Sequence, residues 1–141
     1  MTALRYTGGC LCGNLRFAAS APAINLCYCH CASCRRASGA PLVAWGTFAR
    51  DSFRITHGQL SEYRSSARVL RGFCAACGGA LTYRHEARST EIDVTLASLD
   101  APGALAPHTH VWVGDKLPWV VIADGLPQFA TQTGVNAPEA R

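Results

Sequence analysis

The sequence predicts a mainly β protein with short antiparallel sheets and little helix. Three observations lead there. Stretches rich in β-branched and aromatic residues recur along the chain, some alternating polar with apolar. Its 13 glycines and 7 prolines cut the chain into short segments. Helical character is confined to one short stretch. At 141 residues and 49% hydrophobic composition, the chain fits one domain that buries a core without needing staples to fold. The expected domain spans residues 1–141, with a core over 7–130 and a C-terminal tail over 131–141 that frays for lack of pattern.

Residues 4–20 read as two short strands around a turn, with Leu15, Phe17 and Ala19 alternating against Asn14, Arg16 and Ala18. Pro22 ends that unit, and Ile24 to Cys29 reads as a buried strand. Ala32 to Ser38 forms one or two helical turns, stopped by Gly39 and Pro41. Leu42 to Ala49 is apolar and aromatic and reads as a strand, in which Trp45 and Phe48 serve the core or the wall of a pocket. Short strands follow at Phe53 to Ile55, Leu60 to Arg64 and Arg68 to Phe73. Cys74-Ala75-Ala76-Cys77-Gly78-Gly79 is a knuckle, two thiols on a tight turn relieved by glycines, and Leu81-Thr82-Tyr83 leads out of it as a strand. Glu91 to Leu96 alternates most cleanly, with Ile92, Val94 and Leu96 on one face. Ala101 to Pro107 is a loop, His108 to Val113 a short strand, and Pro118-Trp119-Val120-Val121-Ile122 is expected to pack on the core.

Composition excludes several classes. The formal charge of +4 counts every cysteine as neutral; seven thiolates on two Zn²⁺ ions would leave about +1. No basic stripe then remains for nucleic acid. No apolar run approaches the ~20 residues of a membrane span, and Met1-Thr2-Ala3-Leu4-Arg5 lacks the apolar run of a signal peptide. A cytoplasmic location is expected, where thiols stay reduced and paired cysteines point to metal or catalysis.

Four of the eight cysteines fall in Cys27-Tyr28-Cys29-His30-Cys31-Ala32-Ser33-Cys34. The pair Cys10-Leu11-Cys12 precedes it and Cys74-Ala75-Ala76-Cys77 follows. Zinc takes four thiolate or imidazole ligands in a tetrahedron. Two tight cysteine pairs from distant segments, each flanked by glycine, suit one such ion, so Cys10, Cys12, Cys74 and Cys77 are the candidate structural site. The central cluster has more than one solution. Cys29, Cys31 and Cys34 offer three ligands and leave a fourth position for substrate, as catalytic zinc does. Cys27 would close that position if it joined them, giving an inert site; otherwise it is a buried apolar residue. The three-ligand set is adopted here as the candidate catalytic site. His30 sits between two ligands, but on a strand it points away from their face.

The segments Gly8-Gly9-Cys10-Leu11-Cys12-Gly13, Cys29-His30-Cys31-Ala32-Ser33-Cys34-Arg35-Arg36-Ala37-Ser38-Gly39-Ala40 and Arg71-Gly72-Phe73-Cys74-Ala75-Ala76-Cys77-Gly78-Gly79-Ala80-Leu81 resemble the glutathione-dependent formaldehyde-activating enzymes, a family that includes centromere protein V. His110-Val111-Trp112 and Pro118-Trp119 match more weakly. The resemblance implies a β-tent-like fold with two zinc ions, a structural one at Cys10, Cys12, Cys74 and Cys77 and a catalytic one at Cys29, Cys31 and Cys34. It also implies carbon–sulfur lyase chemistry, in which a small-molecule thiol such as glutathione combines with an aldehyde such as formaldehyde. Arg35, Arg36 and His110 are candidate substrate-binding residues, the two arginines as grips for carboxylates. Because an open site releases metal more readily than a closed one, partial zinc occupancy is expected at the trio. The competing expectation is a non-catalytic binding module with two closed structural zinc sites.

Overall fold

The computed structural model describes residues 5–132. Among them are ten strands in two sheets and one α-helix. The smaller sheet joins β1 (Tyr6–Gly9), β2 (Arg16–Ala19) and β5 (Phe53–His57), all antiparallel. The larger sheet has the order β10-β3-β4-β9-β8-β7-β6. Its members are β3 (Asn25–Cys29), β4 (Val43–Ala49), β6 (Ser61–Ser66), β7 (Val69–Phe73), β8 (Ala80–His85), β9 (Glu91–Thr95) and β10 (Thr109–Val111). Each expected strand has a counterpart, but the expectation of purely antiparallel sheets needs one correction. β10 runs parallel to β3, pairing Thr109 with Cys27, His110 with Tyr28 and Val111 with Cys29. A parallel pair needs a long crossover, and here most of the chain lies between its two strands.

The main core fills the space between the sheets. Phe17 and Phe48 are 1% exposed, and Leu15, Leu26, Leu81, Ile92, Val94 and Leu96 pack with them. Burying one such phenylalanine contributes roughly 2–3 kcal/mol. Edge rings extend this core, Tyr6 lying 5.7 Å from Phe48 and Phe53 5.5 Å from Phe17. The buried carboxylate of β9 is matched. Asp93 on β9 is buried, accepts from Thr47 Oγ1 at 2.5 Å and from Arg88 at 2.8 Å, and Arg88 also reaches Glu91 at 2.6 Å. A buried carboxylate without such partners would be costly.

One cysteine stands where the helix begins. α1 (Ala32–Ser38) starts at Cys31, whose sulfur accepts the Cys34 N–H at 3.2 Å and so caps the helix. It ends at Gly39, held at φ 71°, whose N–H returns to the Arg35 carbonyl at 2.7 Å. The Pro118–Ile122 segment does not pack on the core as expected. Trp119 is 68% and Val121 84% exposed, because the chain there forms an irregular strap rather than a strand that could present one apolar face inward. The expected fraying tail falls mostly on residues 133–141, outside the described residues. No helix among the described residues is long and apolar enough to cross a membrane.

Candidate metal centres

Seven of the cysteines gather into two groups. In the first, Cys10 follows β1, Cys12 lies in the turn to β2, and Cys74 and Cys77 bracket the knuckle between β7 and β8. The knuckle closes because Gly78 adopts φ 76° and donates its N–H to the Cys74 carbonyl at 2.7 Å. The four sulfurs lie within 4.8 Å of one another, with Cys10 to Cys12 at 3.6 Å and Cys12 to Cys74 at 3.8 Å. Sulfurs at the corners of a tetrahedron with bonds of about 2.3 Å sit about 3.8 Å apart. The residues therefore fit a tetrahedral metal ion.

The electrostatics agree. N–H groups of Cys12 and Gly79 aim at the Cys77 sulfur and lower its pKa to about 6. Burial pushes Cys10 up, but the Leu15 N–H at 3.3 Å and the neighbouring sulfurs outweigh it and leave the group below its ordinary value. The Asn14 N–H pulls Cys12 down, yet burial and the Cys10 and Cys77 thiols drive it to about 11. Crowded thiols without a cation thus lose protons one at a time, a conflict that a divalent ion removes. Thiolate is the form that alkylates. In metal-free protein, Cys77 labelling by iodoacetamide should rise through about pH 6, and that of Cys12 only near pH 11. A common onset for both near the ordinary thiol value of about 8.5 would contradict this arrangement.

The second group is Cys29 at the end of β3, Cys31 at the helix cap and Cys34 in its first turn. Their sulfurs also lie within 4.8 Å of one another, and the residues are only 4–6% exposed. Val43, Trp45 and Val111 enclose them, with Tyr83 and Trp112 alongside. Trp112 has φ 58°, a left-handed backbone rare for a bulky side chain, and such strain tends to persist at sites that the surroundings over-determine. The Cys31 and Cys34 thiols push Cys29 far above its ordinary range. Cys34 is pulled down by Cys29 but pushed up further by Cys31 and by burial.

Cys27 packs against this group without entering it. Its thiol is pushed up to about 12 by burial and then by the Asp93 carboxylate. The contrast with Cys29 is informative. Cys29 is raised first by other sulfurs, which a metal would relieve; Cys27 is raised first by desolvation.

Among the expected substrate residues, Arg36 is exposed on α1. Arg35 is half-buried and its Nε has no partner. Neither side chain donates to a trio sulfur among the described residues. Arg71 does: its Nη1 lies 3.7 Å from Cys34 Sγ. It was visible in the sequence only as part of the Arg71-Gly72-Phe73-Cys74 segment, with nothing to say which way it faces.

His110 is buried and engaged at both ring nitrogens. Nε2 donates to Asp124 Oδ2 at 2.7 Å, and Nδ1 lies 2.8 Å from His30 Nε2. The Asp124 carboxylate can only accept, so neutral His110 carries its proton on Nε2 and accepts at Nδ1 from His30. Burial first, and then His110, lower the His30 pKa. His110 also stacks on Tyr28 at 4.8 Å. Since Tyr28 and His110 are paired and alternate with Cys29 and Val111, this chain of side chains lies behind the strands, on the face opposite the trio. It ties the strap to the strand that carries Cys29. The sequence held no signal for it, because Asp124 and the parallel pairing are both remote from His30.

A cleft of about 560 Å³ opens beside the first group, with Cys10 and Cys77 on its rim and Ala37, Ala44 and Ala80 in its wall. Its Ser38, Thr95 and Ser98 hydroxyls donate to the Cys34, Ala80 and Thr95 carbonyls.

The family model described as glutathione-dependent formaldehyde-activating enzyme matches residues 5–115, a span that contains both cysteine groups. A crystal structure of a Rhodobacter sphaeroides protein superposes with a TM-score of 0.56, at 21% identity, covering 87% of this chain and 98% of that one. It shares the fold. No curated protein matches the sequence.

Proposed function

Because the chain belongs to the glutathione-dependent formaldehyde-activating enzyme family, we propose that it is a zinc-dependent carbon–sulfur lyase that joins a glutathione-like thiol to a small aldehyde and cleaves the adduct in reverse. Cys10, Cys12, Cys74 and Cys77 hold a structural zinc, and Cys29, Cys31 and Cys34 hold a catalytic one. The observation that carries this reading is the split of the cysteines into a group of four and a group of three, with Cys27 adjacent to the three but outside their cluster. Four sulfurs saturate a tetrahedral ion; three leave a position open.

A zinc ion at the trio would supply a thiophilic Lewis acid that lowers the pKa of an incoming thiol. The protein does the rest. The Cys31 cap and the Cys34 turn hold two sulfurs on a rigid helix start, and β3 holds the third. Val43, Trp45 and Trp112 keep the surroundings apolar, which strengthens electrostatic interactions inside. Thiol addition to an aldehyde is intrinsically easy, so most of the acceleration comes from holding the two reactants together.

The test is adduct formation from glutathione and formaldehyde, followed by NMR with zinc-loaded protein. The wild type and Cys27→Ser should both exceed the buffer rate, with zinc content unchanged by the substitution. A rate equal to buffer, or loss of one zinc on replacing Cys27, would sink the open-site mechanism.

A further inference from the structure

Arg71 sits in the middle of β7, three residues before Cys74, and its side chain turns toward the other cysteine group. The guanidinium is fixed at several points. Nη1 donates toward Cys34 Sγ at 3.7 Å, Nε donates to Ser65 Oγ at 3.2 Å, and its carbon lies 5.0 Å from the centre of the Tyr83 ring. Arginine has five N–H donors in a planar fork. Those two bonds leave three donors without a partner among the described residues. A guanidinium held by aromatic stacking and a hydroxyl, with donors to spare, is a preformed receptor for an anionic oxygen. Neutralising Cys34 alone would not need that surplus.

We propose that Arg71 is a catalytic residue of the trio site, donating to the anionic oxygen that develops when a thiolate sulfur adds to an aldehyde carbon. The inference rests on the trio being open to a substrate thiol. In the forward step a sulfur lone pair forms the C–S bond and the carbonyl π pair moves to oxygen. The resulting alkoxide accepts an N–H from Arg71, which stays protonated, and then takes a proton from water. In reverse, hydroxide takes the hydroxyl proton and becomes water, the oxygen lone pair rebuilds the C=O bond, and the C–S pair returns to sulfur. No oxidant or reductant is involved. The oxygen is two bonds from the reacting sulfur, and a fixed donor close to a neighbouring sulfur is placed to stabilise it without reorganisation.

Two small thiols of similar length test this. Mercaptoacetate carries anionic oxygens near its sulfur, and 2-mercaptoethanol a neutral hydroxyl. Calorimetric titration of the zinc-loaded wild type should show mercaptoacetate binding roughly tenfold tighter, as for a hydrogen bond to a charged group. Arg71→Gln should erase that preference while still binding 2-mercaptoethanol, and Arg71→Lys should keep part of it. With glutathione and formaldehyde, Arg71→Gln should lower kcat by roughly a hundredfold and leave KM for glutathione nearly unchanged, the signature of a lost oxyanion donor. If the wild type shows no preference, or Arg71→Gln retains it, Arg71 has no such role and the trio remains a thiol site. If neither thiol binds the wild type, the trio is closed and both readings fall together.

Discussion

A Cys74→Ser variant is expected to lose one metal ion and to melt more than about 10 °C below the wild type, followed by circular dichroism alongside zinc content. Three contributions act together. Cys74 is 4% exposed and belongs to the main core, so serine leaves a hydroxyl with no built partner there. A metal held there would join the β1–β2 hairpin to the β7–β8 knuckle across 62 residues of chain. Binding to a structural zinc site is worth roughly 10–16 kcal/mol in small zinc peptides, so even a fraction of it exceeds any single packing contact. Cys12→Ser separates metal from packing, because Cys12 is exposed. It should lose the same ion and most of the same stability. A Cys12→Ser protein with full zinc content and unchanged melting would show that the four cysteines are not a metal site.

Cys34→Ala should behave in the opposite way. The fold is expected to survive, at a cost of about 1 kcal/mol for a small buried truncation, because the main core and the first metal are untouched. The second metal should be lost, and glutathione–formaldehyde adduct formation should fall to the buffer rate. Two sulfurs cannot hold the ion against water and competing chelators as three do. If Cys34→Ala instead unfolds the protein as Cys74→Ser does, both groups are structural. The pair of variants therefore separates an enzyme with one scaffolding and one working metal from a binding module with two scaffolding metals.

Much of this was legible in the chain. Strand-forming stretches punctuated by glycine and proline located each strand among the described residues, because β-branched and aromatic residues suit a pleated surface wherever it is placed. The alternation of Ile92, Val94 and Leu96 named three core residues correctly. Pro118–Ile122 misled because hydrophobicity alone carries no direction. Without a regular period, an apolar run has no face to bury, and Trp119 and Val121 stand in solvent.

The sequence by itself determined which cysteines could meet. Two thiols with one or two residues between them can be brought together by a local turn, and the short spacings at Cys10, Cys29, Cys31 and Cys74 are of that kind, although Cys27 stands at the same spacing from Cys29 and stays outside its group. Only the tertiary structure decided what surrounds them. Cys27 packs beside the trio without joining it, and its thiol is held protonated by burial and by Asp93, which lies 66 residues further on. Arg71 reaches Cys34 from another strand, and Asp124 closes a chain through His110 to His30 behind the trio. These contacts depend on sheet order and register. A shift of one residue in β7 would turn Arg71 to the opposite face, and no local spacing records that choice.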